Sequence, residues 1–462
     1  MTRLIGFSPQ LSELSGLYIP NTVLKRLGWI GGDKITTISS GDDLSEDTSK
    51  FSDDSIDLLC RSCPNLRHLR IDENKNWSFA GRNDSYLTNA SIKSIVTHCK
   101  KLESLSIKWY NITNEAMDIL ATLSSLKEFH IDVVDHITSG GIRMVLKANC
   151  GLTSLSISAW SAIDNSLLNY ISQSLPYLRE LTLDVREGCQ DISEDSSSFL
   201  TIPQGCPLLE KIKIDGWCFG DDLLVPLTKH CTRLRHLQFD WVREDDEQTT
   251  VTEAALIRLF QACPDLRTLS SLPYVATDSC LYALATHCAR LEAVGITTNN
   301  HVWLTLVTNA GLCALFKACS SLTDVRIENC DYVTDESVFT LVRYCPEVRI
   351  MALSSPTGKL TEASLLSIST HSRKLQKLTV CHMSVSDDLL SIIARRCKYL
   401  TDIEIKQCTS ITSTGIVNLI NKCHRLKRVR VWHCKIQISP ELKKYTDIQK
   451  GHTTEVYLDV FN

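Results

Sequence analysis

The chain has 462 residues, of which 43% are hydrophobic and 22% are charged, and these proportions exclude a collagen-like or mainly disordered protein. Lysine and arginine number 49 against 53 aspartate and glutamate residues, so the net charge of −4 provides no overall basic field that would attract nucleic acid or an acidic membrane. The first residues lack the apolar run of a signal peptide, and no run of roughly 18 apolar residues occurs, so we expect neither secretion nor membrane spanning.

The chain contains 20 cysteines, a number that would indicate disulfides in a short secreted protein. In a long chain without a signal peptide, we expect reduced thiols that pack as small hydrophobic side chains. This interpretation predicts a cytoplasmic and/or nuclear protein.

A repeated pattern organises the chain. It is plain in Cys63-Pro-Asn-Leu66-Arg-His-Leu69-Arg-Ile71, and the same order of Cys, Leu, Leu and an aliphatic residue returns from Cys99 to Ile107. Aliphatic residues at alternate positions predict a short strand with one face in the core. The first position of the unit recurs about every 28 residues, within the range of leucine-rich repeats. It falls at Ser8, Gly32, Cys63, Cys99, Leu123, Asn149, Leu175, Cys206, Cys231, Cys263, Cys288, Cys319, Cys345, Ser372, Cys397 and Cys423.

The second half of each unit predicts a helix. An aliphatic residue is followed by Thr or Ser, in most units with acidic residues in the next turn, as in Val333-Thr-Asp-Glu. The hydroxyl can cap the helix, and the carboxylates then lie at the positive end of its dipole. The motif begins at Ile112, Ile137, Val251, Val307, Val333, Leu360, Val385 and Ile411. Each unit is therefore predicted to be a strand, a connection and a capped helix on the outer side.

These units predict an α/β fold, a leucine-rich-repeat solenoid of horseshoe form with about sixteen strand-helix repeats and a parallel sheet on its concave side. The solenoid is expected to span residues 1–450. The last stretch, 451–462, contains an alternating run from Val456 to Val460 and is expected to form a C-terminal capping segment.

The repeat resembles the cysteine-containing class of leucine-rich repeat in the substrate-binding part of F-box/leucine-rich-repeat proteins. The Cys-x-x-Leu-x-x-Leu strand and the Thr/Ser-acid helix start carry the resemblance, which covers residues from about 8 to about 440. It implies a module that recruits substrates to an SCF-type ubiquitin ligase. Because the first repeat begins at Ser8, we expect no room for an F-box and no docking to the ligase core through one.

No motif in the sequence supports catalysis or a metal site. Cys60-Arg-Ser-Cys63 has zinc-ligand spacing but lacks a second pair, and Cys63 already holds a repeat position. Three His-Cys pairs recur at one structural position, whereas a nucleophile with its base is a single constellation. Phosphate-binding loops, nucleophile elbows and zinc-protease motifs are not found, so we expect neither an enzyme nor a cofactor. The pairs are His98-Cys99, His230-Cys231 and His287-Cys288.

A basic run from Lys422 to Arg430 keeps the alternation of a strand, so its charges are read as the solvated end of the sheet and no nucleic-acid binding is expected. Residues between the core positions of the strands line the concave face, which solenoids use to bind proteins. Candidate partner-binding residues on this face are Lys211, Lys213, His236, Arg428 and Arg430.

Extra sequence between strand and helix predicts a second feature. Five such insertions emerge on one edge of the solenoid, at 41–50, 74–86, 186–198, 243–250 and 298–304. Four tryptophans follow their strands at this insertion edge, where aromatic rings could contribute much of an interface's energy or could cover the end of the core. They are Trp109, Trp160, Trp217 and Trp241, and an alternative site lies around Asp402, Glu404, Arg428, Arg430 and Trp432.

The function predicted from these features is non-catalytic protein recognition on the concave face or the insertion edge. The family resemblance adds ubiquitin ligase subunits as possible partners. The alternative is a structural scaffold in a larger assembly unrelated to ubiquitin, and the sequence does not separate the two.

Overall fold

The computed structural model describes residues 12–15, 32–39, 52–72, 87–109, 111–133, 136–159, 162–185, 197–215, 220–239, 251–272, 275–297, 306–446 and 455–459. The chain divides into two compact units, Met1–Trp217 (unit 1) and Cys218–Asn462 (unit 2). Within the described ranges, no helix has the length and apolar character needed to cross a bilayer.

Unit 1 alternates strands and helices, and each strand pairs in parallel with the next one along the chain. A short 3-10 helix, Gly32–Lys34, precedes the second strand. The strands are β1 (Glu13–Ser15), β2 (Thr37–Ser39), β3 (His68–Asp72), β4 (Ser104–Lys108), β5 (Glu128–Val133), β6 (Ser154–Ala159), β7 (Glu180–Asp184) and β8 (Lys211–Asp215). The helices are α1 (Asp53–Ser62), α2 (Asn89–His98), α3 (Asn114–Leu120), α4 (Ser139–Ala148), α5 (Asn165–Ser174) and α6 (Ser197–Gly205).

Unit 2 continues the same alternation, again with parallel pairing of consecutive strands. Its strands are β9 (His236–Phe239), β10 (Thr268–Leu269), β11 (Ala293–Thr297), β12 (Asp324–Glu328), β13 (Ile350–Ser354), β14 (Lys377–Cys381), β15 (Asp402–Lys406), β16 (Arg428–Trp432) and β17 (Glu455–Asp459). Its helices are α7 (Asp221–His230), α8 (Glu253–Ala262), α9 (Asp278–His287), α10 (Asn309–Ala318), α11 (Asp335–Tyr344), α12 (Glu362–His371), α13 (Asp387–Arg396), α14 (Ser413–Lys422) and α15 (Pro440–Thr446).

The core of each unit lies between its sheet and its helices. Alternate strand residues such as Leu69 and Ile71 are about 1% exposed because successive side chains of a strand point to opposite faces. The helices contribute their own buried stripe, for example Val338 and Leu341 of α11, both fully buried.

The repeat-position cysteines end the helices and face the core. Cys345 is the C-cap of α11 and is 1% exposed. Its thiol donates to the backbone oxygen of Phe316 at 3.4 Å and to that of Cys319 at 3.5 Å, so it links neighbouring repeats. No disulfide joins the cysteines of the described ranges.

A ladder of helix caps also links the repeats. The amide and the hydroxyl of Thr361, the N-cap of α12, donate to the two carboxylate oxygens of Asp335 in α11 at 2.8 and 2.6 Å. Ser364 of α12 donates its hydroxyl to the same carboxylate. The aspartate lies in the first turn of its own helix, and its carboxylate accepts hydrogen bonds from the N-terminal N–H and hydroxyl groups of the next helix. The same contact joins Asp53 to Thr88, Asp221 to Thr252, Asp278 to Thr308, and Asp387 to Thr412.

The order of parallel strand, turn and capped helix is the predicted leucine-rich-repeat arrangement, and the α/β fold is confirmed. Strand β17 lies within the expected capping segment and pairs in parallel with β16. The division into a solenoid at 1–450 and a cap at 451–462 stays a prediction.

Candidate functional site

The sheet face opposite the helices, called the open face here, carries the first, third and fifth residues of most strands. Register brings these residues into rows across neighbouring strands. In unit 2, Ala352 is the partner of Thr379, which is in turn the partner of Glu404. The next row joins Ser354 to Cys381, and continues to Lys406 and Trp432.

Small side chains on β13 and β14 form a depression in this face. Ala352 and Ser354 are only 7% and 4% exposed although they are on the open face, and Thr379 and Cys381 are half-buried. Long side chains on the flanking strands therefore shield the small ones. We call this depression the trough. Its floor consists of these four residues, and its walls are formed by Arg326 and Glu328 on β12 and by Glu404 and Lys406 on β15.

Most charges around the trough pair within their own wall. Arg326 donates to Asp324 on the same strand, with its Nη2 3.2 Å from Oδ2. The Nζ of Lys406 lies 3.2 Å from Oε1 of Glu404. That carboxylate oxygen also accepts a hydrogen bond of 3.0 Å from the indole N–H of Trp432, which is half-buried on β16. The β15 wall is therefore fixed by a network of three side chains.

Glu328 differs from these residues because its carboxylate has no hydrogen-bond or ion-pair partner among the described residues, although the residue is half-buried. Burial raises the pKa of its carboxyl, Arg326 and Lys406 oppose that effect, and Glu404 across the trough adds to it. A carboxylate that loses hydration without gaining a partner is destabilised in its charged form.

Arg430 is the counterpart of Glu328 on the other side of the trough. It is half-buried on β16, where it is the register partner of Glu404, and within the described residues its guanidinium makes neither a hydrogen bond nor an ion pair. Its neighbour Arg428, by contrast, pairs with Asp402 at 2.5 Å. Strands β12 and β16 are four strand spacings apart, so Glu328 and Arg430 lie about 19 Å apart across the sheet.

The chemistry of the thiols does not favour nucleophilic catalysis. Burial raises the pKa of Cys381 on the trough floor, so the group is a neutral thiol near pH 7. Burial also raises the pKa of Cys63 to about 12. The pKa of Cys60 is raised because its thiol makes a hydrogen bond with the thiol of Cys99. Among the described residues, no group of three or more His, Cys, Asp or Glu is placed to hold a metal ion.

The structure corrects the predicted placement of Trp109. Its side chain is fully buried, and its indole N–H donates to the backbone oxygen of Ile71 at 2.9 Å. The ring closes the end of the core and is not available to a partner. Trp160, Trp217 and Trp241 lie outside the described residues, and their binding role stays a prediction.

The remaining predicted residues fall into separate places. Lys211 and Lys213 are on β8 of unit 1, where they approach Glu180 at 3.8 Å and Asp215 at 2.8 Å. His236 is on β9 of unit 2, and its Nδ1 lies 3.0 Å from the hydroxyl of Thr268. The structure brings together three of the predicted residues, all on β16 beside the trough: Arg428, Arg430 and Trp432.

Sequence reasoning did not single out the trough itself. Glu328, Lys406 and the small floor residues were not chosen, although the signal is present in the strand register. Ala352 and Ser354 hold outward positions that carry long side chains in the neighbouring strand β12, such as Arg326 and Glu328.

Comparison with known proteins agrees with this architecture. A family model described as "F-box/LRR-repeat protein 18, LRR" matches residues 182–406, just under half of the chain. Coronatine-insensitive protein 1 of Arabidopsis thaliana is 24% identical over 210 residues, which cover 43% of this chain and 33% of that protein. A transport inhibitor response 1-like protein of Oryza sativa subsp. japonica is 24% identical over 400 residues, covering 79% of this chain and 65% of that protein.

Among solved structures, a chain of the Rad7 and Elc1 complex in yeast gives a TM-score of 0.45 at 13% identity, over 95% of this chain and 88% of that chain. The match to coronatine-insensitive protein 1 spans only about a third of that protein's length. Stacked parallel strands, capped helices and buried repeat cysteines define this chain as a leucine-rich-repeat protein. Its repeats are of the cysteine-containing class and resemble those of F-box/leucine-rich-repeat proteins.

Proposed function

We propose that the chain is a non-catalytic recognition module that binds a segment of a partner protein in the trough of unit 2. The observation that carries the proposal is the pair of unpartnered, half-buried charges, Glu328 and Arg430. Both residues are half-buried, and burial raises the pKa of the Glu328 carboxyl, so its charged form is disfavoured in the isolated protein. A ligand that supplies both partners relieves this cost.

The trough suits a polypeptide of mixed charge. Its walls and the adjoining strand carry Arg326, Lys406 and Arg430 against Glu328 and Glu404, so it lacks the basic excess that a phosphate backbone needs. An extended chain advances about 3.3 to 3.6 Å per residue, so a segment of five or six residues spans the ~19 Å between Glu328 and Arg430. The expected ligand has a basic side chain near Glu328 and an acidic side chain near Arg430.

The resemblance to F-box/leucine-rich-repeat proteins supports a role as the recognition part of a ubiquitin ligase complex in the cytoplasm or nucleus. The alternative is a scaffold that uses the same trough in an assembly unrelated to ubiquitin. The insertion edge with Trp160, Trp217 and Trp241 remains a proposed second contact surface. Co-purification of cullin-ligase subunits distinguishes the ubiquitin role from the scaffold role.

Two isosteric substitutions test the trough. Glu328→Gln and Arg430→Gln each remove one charge and keep the reach of the side chain. Because neither charge has a partner in the described structure, each variant should be as stable as the wild type or up to about 1 kcal/mol more stable. Each should weaken binding by about 2 kcal/mol or more, roughly 30-fold, because the partner's charge would be left unpaired in the interface.

The measurement is quantitative affinity purification from cells with each variant, together with its thermal unfolding midpoint. Arg373→Gln is the matched control, since Arg373 is an exposed arginine in the turn before β14. The proposal predicts proteins retained by the wild type and the control but lost from both trough variants. Retention of every bound protein by both trough variants, with unchanged unfolding midpoints, would refute it.

A further inference from the structure

The outward face of the unit 2 helices carries a row of apolar side chains at one helical position. The fifth residue of six consecutive helices, α7 to α12, is apolar. Four of these side chains are 43–47% exposed and the other two, Ile257 and Cys313, are half-buried. We call this row the outer stripe: Val225, Ile257, Tyr282, Cys313, Phe339 and Leu366.

The fold does not require apolar residues at this position. In the first five helices of unit 1, the same position is always polar. In α6, the last helix of unit 1, the fifth residue is exposed Thr201, and half-buried Leu200 precedes it as the fourth. The polar residues are Asp57, Lys93, Asp118, Arg143 and Asn169. Because the buried side of these helices is alike in both units, the outer stripe is a property of the surface and not of the core.

The outer stripe forms a continuous feature because consecutive helices from α7 to α12 pack against one another. With packed helices about 8 to 10 Å apart, six of them extend the stripe over about 45 Å. Exposed apolar patches of this length on a soluble protein mark interaction sites.

Charged residues border the stripe on both sides. Glu336 lies three residues before Phe339 and Arg343 lies four residues after it, so all three are on one face of α11, and all three are exposed. In α7, Asp222 and Lys229 stand in the same relation to Val225, and both are exposed. One border of the outer stripe is therefore acidic and the other is basic, at the same two helices.

We propose that the outer stripe is an interface between two copies of this chain. When two identical surfaces face each other across a two-fold axis parallel to the stripe, the stripes superimpose and the borders exchange sides. Glu336 then meets the second copy's Arg343, and the reciprocal pair forms on the other side. Asp222 meets the second copy's Lys229 in the same way. A two-fold axis perpendicular to the stripe would instead bring the acidic border of one copy against the acidic border of the other. The spacing of the stripe residues also matches, because both copies have the same repeat.

The interface is modest in size. Three outward positions on each of six helices give about 18 residues, below the 20 to 30 per side of a standard interface. The dimer is therefore expected to dissociate in the micromolar range, so its concentration dependence is measurable.

Charge exchange across the two-fold axis gives a specific test. Glu336→Arg and Arg343→Glu each place like charges opposite one another and should weaken self-association at least tenfold. The double variant, with both substitutions, restores both reciprocal pairs and should recover at least half of the loss on a logarithmic scale. Phe339→Glu, between these two charges on α11, should leave the protein monomeric, and Lys93→Glu, at the same helical position in unit 1, should change nothing.

The measurement is sedimentation equilibrium of the full chain from about 0.5 to about 200 μM. A wild-type dimer that the single variants weaken and the double variant restores supports the proposal. A wild-type monomer across the whole range overturns it, even if another protein binds the stripe. A dimer that Phe339→Glu does not affect, or that the double variant fails to restore, also overturns it. Circular dichroism of each variant separates a lost interface from a lost fold.

Discussion

Replacing Asp335 by alanine tests whether the cap ladder holds the repeats together. The carboxylate accepts hydrogen bonds from the amide and hydroxyl of Thr361, at 2.8 and 2.6 Å, and from the hydroxyl of Ser364. The alanine variant leaves all three donors without their acceptor. Water reaches Thr361, which is exposed, but Ser364 is fully buried, and its hydroxyl loses its charged acceptor.

The expected loss of stability follows from these contacts. Loss of a helix cap costs about 1 kcal/mol, and loss of a hydrogen bond from a buried hydroxyl to a charged group costs about 1 to 3 kcal/mol. Asp335→Ala should therefore destabilise the contact between α11 and α12 by about 2 to 4 kcal/mol. Asp335→Asn should cost about 1 kcal/mol or less, because Asn309 already makes the equivalent contacts, accepting from the amide of Thr334 at 3.0 Å.

Acidity should affect the same contact. Burial raises the pKa of Asp335, but the hydrogen bonds from Ser364 and Thr361 outweigh burial and hold the pKa below its ordinary value of 3.8. The carboxylate is therefore favoured in the folded state. Its contribution to stability is fully present above pH 3.8 and is lost as the pH falls through the lowered value of the folded protein. The asparagine variant should lack this part of the acid dependence.

Hydrogen exchange measured by mass spectrometry reports the effect locally. A loss of 2 kcal/mol should accelerate exchange of the α12 amides, in Glu362–His371, about 30-fold in the alanine variant at pH 7. The strands of unit 1 provide the internal control. Unchanged protection of α12, or equal loss in the alanine and asparagine variants, would refute the ladder as a source of stability.

Three further predictions concern the core and its titratable groups. Leu234→Ala removes a fully buried side chain at a cost of about 2 to 5 kcal/mol. Protection from hydrogen exchange should fall first in the flanking repeats, and a uniform loss of protection across all repeats would contradict the solenoid. Burial raises the pKa of Cys288 to about 12, so its alkylation in the native protein at pH 8 should be far slower than that of exposed Cys150, as mass spectrometry of labelled peptides would show. Burial lowers the pKa of His130 below 6.5, so NMR should show its ring titrating below that pH. Because the unfolded chain binds the proton more readily, the contribution of the neutral ring to stability should be lost as the pH falls through this region.

The repeat spacing was enough to predict the fold, because the core depends on period alone. Cys63, Leu66, Leu69 and Ile71 are all buried as their pattern indicates. The same alternation of core residues also indicated that Trp109 is buried, which the prediction that placed it at the insertion edge overlooked. Trp109 follows Leu105 and Ile107 at the same two-residue interval, so its ring continues the inward alternation.

The trough was less predictable because its character depends on which charges find partners. Arg326 has an acid on either side of it in its strand, at Asp324 and at Glu328, and sequence alone does not say which one it pairs with. In the structure the guanidinium bonds to Asp324, which leaves Glu328 without a partner among the described residues. Arg430 has Glu404 as its register partner, but that carboxylate is engaged by Lys406 and Trp432. Such choices are set by distances between side chains of neighbouring strands.

Direct binding of designed peptides to the full chain tests the central claim. Each peptide has a lysine and a glutamate separated by four or five residues, and isothermal titration calorimetry measures its affinity for the wild type, Glu328→Gln and Arg430→Gln. A second peptide replaces the glutamate by lysine. We predict that the mixed-charge peptide binds the wild type and that each variant weakens its binding about 30-fold. The all-lysine peptide should bind the wild type more weakly, and Arg430→Gln should partly restore its affinity because the substitution removes a like charge. Equal affinity of both peptides for all three proteins, or no binding by either, would contradict recognition through the two unpaired charges of the trough.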